Sequence, residues 1–102
     1  MQCRMYQQAI NDINKAVELE PQNVEYWLEK GGIHLRVNQL DEAVTALQKV
    51  LNLDPKNAGA YRMLGYTQIQ QKKNKEGMAN LEKAKELGDK VAEDLLQKYS
   101  KK

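Results

Sequence analysis

The residue types that most often perform chemistry are scarce in this sequence. Cysteine and histidine each occur once, as Cys3 and His34. A single thiol forms no internal disulfide and supplies no metal-binding spacing. The acidic residues within 18–20 and 41–42 are explained as charges near helix ends, and no His–carboxylate pair, Cys–His pair or glycine-rich phosphate loop accompanies them. We therefore predict no catalytic residue, no metal site and no cofactor.

Cys3 and His34 can each be interpreted in two ways. Cys3 is either an ordinary buried or terminal residue, which we favour, or a site of oxidation between chains. His34 is interpreted as a partly buried packing residue with one hydrogen bond. A metal ligand or a general base would need a companion group that the sequence does not show.

The composition favours a small helical domain. The 102 residues are 41% hydrophobic and 29% charged, with no Phe and one Trp. Apolar residues recur at the i, i+3, i+4, i+7 spacing of a helix face, and alternation with a period of two is almost absent. An all-α fold follows from this pattern.

The charge and hydropathy patterns argue against two kinds of partner. The formal net charge is only +2, whereas nucleic-acid-binding domains carry a strong basic stripe. The lysines within 72–85 are interleaved with glutamates, as on a solvated helix face. No apolar run approaches the roughly 20 residues that span a membrane, and residues 1–5 lack a hydrophobic signal core. We predict no nucleic-acid partner and no membrane insertion. The sequence does not specify the compartment; the cytoplasm is the default, and a piece of a longer exported chain is the alternative.

Helix-breaking and helix-capping residues divide the chain into six predicted helices, at about 1–20, 24–37, 40–53, 58–71, 76–87 and 89–99. Pro21 and Pro55 end two of them, because proline lacks the N–H and disfavours a helical residue before it. Polar residues suited to N-capping precede the second, fourth and sixth helices; they are Asn23, Asn57 and Asp89. The pair Gly31–Gly32 lies inside a helix pattern, where each glycine costs about 1 kcal/mol relative to alanine. We expect at least one of the two to permit a close approach by another helix.

The chain repeats itself with a period of 34 residues. The repeated positions are apolar, small or punctuating, and they include Leu19, Leu53 and Leu87; Pro21 and Pro55; Asn23 and Asn57; Trp27 and Tyr61; Gly31 and Gly65. Exposed positions vary between copies. A repeated packing unit that stacks on its neighbours would produce this pattern.

A two-helix unit of this length resembles the tetratricopeptide repeat family. The residues that carry the resemblance are Ala9, Ile13, Ala16, Pro21, Trp27, Gly31, Ala43, Leu47, Pro55, Tyr61, Leu64, Gly65, Leu81 and Ala84. The resemblance implies a right-handed superhelical α-solenoid of antiparallel helix pairs, with about two and a half repeats. We expect a half repeat at 1–22 that supplies the second helix only, full repeats at 23–56 and 57–88, and a capping helix at 89–100. The sequence departs from the family pattern at Lys30, His34, Gln68, Gly77 and Asp89.

In this family the first helices of the pairs line a concave groove that holds a peptide or partner protein. The lining residues implied here are Leu28, Glu29, Leu35, Arg36, Arg62, Met63, Tyr66 and Ile69, with Glu25, Gly32, Gly59 and Gln70 beside them. Met63 and Tyr66 would anchor the ligand, and Arg36 or Arg62 would pair with a carboxylate. The basic clamp by which some members grip acidic chaperone tails is absent at the matching positions. The alternative is that these residues form a solvated helix face.

The first repeat raises a second possibility, because only five residues precede Tyr6 and they are too few to supply its first helix. The helix at 6–20 would then have an uncovered apolar face. We expect the chain either to be a structural segment of a longer array or to self-associate, as a homodimer or an element swap. The residues predicted for that contact are Ala9, Ile10, Ile13 and Val17. A non-catalytic interaction module that binds a protein or peptide is the preferred function, and the structural spacer is the alternative.

Overall fold

The structure is a computed structural model that describes residues 2–100, with side chains from residue 5 onward. Six α-helices make up this part of the chain, and it contains no strand. They are α1 (Gln2–Leu19), α2 (Val24–Arg36), α3 (Leu40–Leu53), α4 (Ala58–Gln70), α5 (Asn74–Glu86) and α6 (Lys90–Ser100). The prediction of an all-α fold is confirmed. Residue 1 and residues 101–102 lie outside the described part, as does the side chain of Cys3.

The helix starts follow from side chains that accept backbone N–H groups. Asn23 Oδ1 accepts from the Tyr26 amide at 3.2 Å, and the same contact recurs from Ala60 to Asn57 at 2.9 Å. In the sixth helix Asp89 Oδ1 accepts from the amide of residue 92 at 2.9 Å. Each contact satisfies one of the amides that a helix start leaves unpaired. All three predicted N-caps are therefore confirmed.

The turn within each helix pair uses a residue in the left-handed region. Asn38 has φ 64° and Lys72, which is 34 residues later, has φ 69°. The amide of the following residue donates back across the turn, from Gln39 to the His34 carbonyl and from Lys73 to the Gln68 carbonyl, at 2.8 Å in both cases. This geometry returns the chain antiparallel to itself.

Glycines set the distance between paired helices. A Cβ on Gly31 would lie 2.9 Å from the Leu47 side chain on α3. In the next pair, a Cβ on Gly65 would lie 2.6 Å from the Gly77 carbonyl oxygen, and one on Gly77 would lie 2.7 Å from the Gly65 carbonyl oxygen. The expectation that Gly31–Gly32 permits a close helix approach is confirmed at Gly31. Gly77, which departs from the family pattern, is the counterpart of Gly65 across the α4–α5 contact.

Each helix packs mainly on its neighbours in the chain, α1 on α2, α2 on α3, and so on to α6, with additional contacts of α4 to α2 and α6. The fully buried side chains lie between these neighbours and include Ala43, Leu47, Val50, Leu81 and Ala84. The described chain measures 40 × 31 × 19 Å along its principal axes. This sequential stacking is the predicted solenoid of helix pairs.

Three polar residues that depart from the repeat pattern form hydrogen bonds within the fold. His34 is 5% exposed, and its Nδ1 donates to the Gln39 side-chain oxygen at 2.7 Å. Gln68 accepts a hydrogen bond from the Asn80 side chain at 2.5 Å. Lys30 Nζ on α2 donates to the side-chain oxygen of Asn14 on α1. His34 is thus a packing residue with one hydrogen bond, as predicted, although its burial is nearly complete.

Candidate functional site

The first helices of the two complete pairs, α2 and α4, form a pocket of about 500 Å³. We call it the α2–α4 pocket, and it is lined by Glu25, Tyr26, Leu28, Glu29, Gly32, Ile33, Arg36 and Met63. The repeat places residues of successive first helices side by side, which is why the Met63 side chain of α4 meets α2. Six of the residues predicted to line the groove lie in this one concavity; they are Glu25, Leu28, Glu29, Gly32, Arg36 and Met63. Tyr26 and Ile33 also line it and were not predicted.

Gly32 shapes the floor of the α2–α4 pocket. A Cβ at this position would lie 3.4 Å from the Met63 methyl carbon, so the methionine tip occupies the space that a larger residue would fill. Methionine is flexible and polarizable, and it adapts to ligands of different shape. Leu28 and Met63 are both half-buried, which leaves apolar surface available to a ligand.

Charges lie at both ends of the pocket. Glu25 and Glu29 are exposed and one helical turn apart, and neither carboxylate forms an ion pair with a side chain that the structure describes. Arg36 lies about two turns further along α2. The pocket therefore carries two carboxylates against one guanidinium.

Two other predicted groove residues contact the sixth helix or its cap instead. Arg62 Nε lies 3.2 Å from the Asp89 carboxylate, which also caps α6. The Tyr66 ring lies 6.5 Å from that of Tyr99, with the ring planes tilted by 56°. The predicted ligand contacts of Arg62 and Tyr66 would thus compete with contacts inside the chain. The sequence placed the sixth helix at 89–99 but could not show these contacts, because the bounds of a helix do not specify which side chains of α4 it packs against.

The remaining predicted residues lie outside the α2–α4 pocket. Ile69 lines a second pocket, of about 520 Å³, between α5 and α6, and it packs against the buried cluster around Leu81. Leu35 is half-buried on α2 and does not line the α2–α4 pocket. The predicted groove is therefore divided in the structure, with one part at α2–α4 and another beside α6.

The prediction that four residues of α1 form an uncovered face is wrong for two of them. Ile13 is 5% exposed and Val17 is 8% exposed, because α2 packs against this side of the helix. Ala9 and Ile10 are half-buried. The apolar pattern of α1 does not separate the part of the face that α2 covers from the part that α2 leaves open.

The open side of α1 is a different stripe, which we call the α1 stripe. Its members follow a 4-3-4-3 spacing along one side of the helix, and they are Met5, Ala9, Asp12, Ala16 and Leu19. Met5 is 68% exposed and Leu19 is 74% exposed. The matching central positions of α3 are fully buried; they are Ala43, Ala46 and Val50. The α1 stripe thus corresponds, one repeat earlier, to the side of α3 that α2 covers.

A family model described as "Anaphase-promoting complex, cyclosome, subunit 3" matches residues 2–84. The match covers most of the chain and includes α2, α3, α4 and all but the last two residues of α5. The chain belongs to this family. Its members are built from tetratricopeptide repeats, and the resemblance drawn from the 34-residue period is confirmed. Such families are generally scaffolds rather than enzymes.

Solved structures agree with the tetratricopeptide fold. The first TPR of Spaghetti (RPAP3), bound to the HSP90 peptide SRMEEVD, superposes with a TM-score of 0.88 at 21% identity and covers 97% of this chain and 80% of that one. A crystal structure of MamA gives 0.78 at 26% identity, with 81% of this chain and 48% of that one covered. A MamA mutant gives 0.79 at 24% identity, with 86% and 64% covered. The repeat chain therefore spans about half to two thirds of the MamA chains that it matches. A search of curated protein sequences found no significant match.

Two kinds of site are not found in the described part of this repeat chain. No group of three or more His, Cys, Asp or Glu side chains there is arranged to hold a metal ion. None of the described helices combines the length and apolar character needed to cross a membrane.

Proposed function

We propose that this chain is a non-catalytic module that binds a peptide or a segment of a partner protein in the α2–α4 pocket. As a tetratricopeptide-repeat chain it is a protein-interaction module in general terms. The observation that carries the specific proposal is the meeting of Leu28, Gly32 and Met63 in one open concavity between successive first helices. The RPAP3 neighbour is a repeat of similar fold that holds a peptide, which supports a peptide as the type of ligand.

The pocket has the composition expected of a recognition surface. Half-buried apolar side chains form its floor and charged side chains form its rim, so that burial supplies affinity and the charges supply selectivity. Its helices are held by buried contacts behind the groove, such as Gly31 against Leu47. A preorganised surface of this kind binds without the entropic cost of ordering itself.

A double substitution, Leu28→Ala with Met63→Ala, tests the proposal. Hot-spot residues near the centre of an interface each cost more than about 1 kcal/mol when truncated, so we expect capture of a bound protein to fall by about tenfold or more. A photo-crosslinking residue at position 29, which is exposed on the rim of the pocket, would identify the captured protein by mass spectrometry. Helicity measured by circular dichroism should stay unchanged.

A matched control removes exposed apolar side chains away from the pocket. The double variant Leu19→Ala with Val91→Ala serves this purpose, since both side chains are large and exposed in the structure. Equal loss of capture in the control and test variants would contradict binding in the α2–α4 pocket.

The alternative function, a structural segment of a longer array that self-associates through α1, rests on the exposed α1 stripe. In a symmetric pair of stripes, each with Asp12 at its centre, the two carboxylates would approach each other, and unpaired charge in a contact is unfavourable. Asp12→Ala should then strengthen self-association and Leu19→Gln should weaken it. Sedimentation at tens of micromolar would decide, and a monomer for all three proteins would refute this alternative.

A further inference from the structure

The α1 stripe matches a surface that a helix covers in both later copies of the repeat. The counterparts of Ala9 and Ala16, found 34 and 68 residues later, are all buried. They are Ala43 and Val50 on α3, and Gly77 and Ala84 on α5. Within the described residues α1 contacts α2 alone, and α2 packs on another side of it. The α1 stripe therefore has the composition of a helix-binding face without the helix.

The covering helices approach this face through a glycine. A Cβ on Gly31 of α2 would lie 3.6 Å from the Ala43 carbonyl oxygen of α3. A Cβ on Gly65 of α4 would lie 2.6 Å from the Gly77 carbonyl oxygen of α5. Ala9 holds the matching position on α1, and its small side chain permits a similarly close approach. A helix that covers the α1 stripe should therefore carry a small residue facing Ala9.

Asp12 gives the centre of the α1 stripe its charge. Its counterparts are Ala46 on α3, which is fully buried, and Asn80 on α5. The Asn80 side chain donates to the Gln68 side-chain oxygen of the covering helix at 2.5 Å, so that helix supplies a polar partner at this position. An ionised carboxylate only accepts hydrogen bonds, and Asp12 forms no ion pair with a described side chain. A cationic donor is the partner that would satisfy it best.

The same carboxylate argues against a second copy of α1 as the covering helix. In a symmetric pair the two Asp12 carboxylates would meet, and like charges repel. The ends of the stripe are large and apolar, with Met5 68% exposed and Leu19 74% exposed. They lie about 20 Å apart along α1, which gives room for about four turns of a partner helix.

We infer that the α1 stripe binds an amphipathic helix of a partner protein that has a small residue facing Ala9 and, three residues later, an Arg or Lys facing Asp12. The three-residue spacing is that of Gly65 and Gln68 on α4. The α1 stripe shares no residue with the α2–α4 pocket, so this contact would form whether or not that pocket holds a peptide.

Three fluorescein-labelled peptides with the sequence of residues 23–38 test the chemistry of the partner helix. This segment has the covering pattern, with Gly31 followed three residues later by a position that carries Arg, Gln or Glu in the three peptides. A lactam bridge between the exposed positions 25 and 29 keeps each peptide helical. In fluorescence anisotropy with the full chain, we expect the Arg peptide to bind most tightly and the Glu peptide about three- to tenfold more weakly.

Charge reversal on the protein locates the binding site. Asp12→Arg should invert the order, so that the Glu peptide binds more tightly than the Arg peptide. Glu18→Arg is the matched control, because Glu18 is an exposed acid on another side of α1 and its reversal changes the net charge equally. The control should keep the original order of affinities.

Ala9→Leu separates close helix packing from a non-specific apolar patch. A patch would bind every peptide more tightly when apolar area is added. A helix held as closely as α4 is held to α5 would clash with the larger side chain, and we expect binding of the Arg peptide to fall by about tenfold or more. Circular dichroism should show the same helicity in Ala9→Leu and the unaltered chain.

Several results would overturn the inference. These are equal affinity of the three peptides, an unchanged order in Asp12→Arg, and tighter binding to Ala9→Leu. Peptide binding that Met63→Ala weakens and Asp12→Arg leaves unchanged would place the peptide in the α2–α4 pocket instead. If no peptide binds and the chain sediments as a dimer that Leu19→Gln dissociates, a second copy covers the stripe; if no peptide binds to a monomer, the stripe binds no helix of this kind.

Discussion

Lys30 lies on α2 where the repeat pattern favours an apolar residue, and its ammonium group is partly removed from water. Burial lowers the pKa of Lys30 below its usual value of 10.5, and the nearby Glu42 carboxylate acts in the opposite direction. Its Nζ also donates to the Asn14 side chain on α1. Since burial is the larger effect, the charged lysine is less favourable in the folded chain than in the unfolded one.

We expect Lys30→Met to change how stability depends on pH. Between the lowered pKa of Lys30 and 10.5, the unfolded chain binds more protons than the folded chain does. Lys30 therefore makes the free energy of unfolding rise with pH in that window. The methionine variant should lack this rise and should be the more stable protein at neutral pH. Urea unfolding at pH 7 and at several values up to 10.5 measures both effects.

Lys15→Met is the control for this experiment, because Lys15 is an exposed lysine on α1. An identical pH slope in the Lys30→Met variant and the unaltered chain would contradict the assigned desolvation cost.

Lys72 holds a left-handed backbone conformation that lysine rarely adopts. Its φ is 69°, and Asn38 holds the equivalent turn with φ 64°. Asparagine tolerates this region better than lysine does. We expect Lys72→Asn to raise the free energy of unfolding by about 0.5–1 kcal/mol and Asn38→Lys to lower it by a similar amount, both measured by urea denaturation. Unchanged stability in both variants would show that the turns carry no strain.

Some of these features could be predicted from the residue types, and others could not. The N-caps at Asn23, Asn57 and Asp89 could be predicted, because a side-chain oxygen just before a helix accepts a hydrogen bond from one of its first backbone amides. The turn at Lys72 could not, because lysine carries no preference for positive φ, and only the 34-residue offset from Asn38 hints at it. The pairing of Arg62 with Asp89 depends on where α6 lies, which the repeat does not specify.

At the scale of elements, four of the glycines in α2, α4 and α5 have three different environments. Gly65 and Gly77 face each other's carbonyl oxygens at 2.6 and 2.7 Å from a hypothetical Cβ, which are backbone contacts. At Gly31 the obstacle is the Leu47 side chain at 2.9 Å, and at Gly32 it is the Met63 methyl group at 3.4 Å. A side chain can move aside more cheaply than a backbone can.

Substitution of these glycines by alanine should therefore give an ordered series. We expect Gly65→Ala and Gly77→Ala to destabilise the fold by about 3 kcal/mol and Gly31→Ala by about 1–2 kcal/mol, the range of overpacked cores. Gly32→Ala should be neutral or stabilising by up to about 1 kcal/mol, because alanine favours the helix. Urea unfolding measures the order, and a loss at Gly32 as large as that at Gly65 would contradict it.

The helices and most residues of the candidate site could be predicted from the sequence, because the repeat fixes their relative positions. The 34-residue period brings Leu28 and Met63 to successive first helices, and the structure places both in the α2–α4 pocket. The period could not show that Ile13 and Val17 are buried by α2. An amphipathic pattern identifies apolar residues without dividing them between two neighbours.

At the scale of the whole molecule, contacts follow the order of the chain. Within the described residues α1 packs on α2 alone, whereas α4 contacts α2, α3, α5 and α6. Stability in such stacks is approximately a sum over units and their immediate neighbours. The two ends of the chain therefore depend on fewer interfaces than its middle does.

We expect amide hydrogen exchange to reflect this arrangement. Amides of α1 should exchange first, through opening of the α1–α2 contact, and amides of α4 and α5 should exchange last. Mass spectrometry at submicromolar protein concentration measures this order and limits any self-association. Uniform protection from α1 to α6 would show instead that the chain unfolds in one step.

The contact between Gly65 and Gly77 also restricts which sequences are reachable from this one by single substitutions. Any side chain at either position meets the backbone of the other helix, so a change at one cannot be offset by shrinking the other, which is already the smallest residue. Compensation would require α4 and α5 to move apart, and that movement would loosen the packing of Leu81 and Ile69 as well. We therefore expect substitutions at either of these two glycines to be poorly tolerated, whereas a Cβ at Gly32 meets only the Met63 methyl carbon at 3.4 Å, so substitutions there would change the shape of the α2–α4 pocket instead.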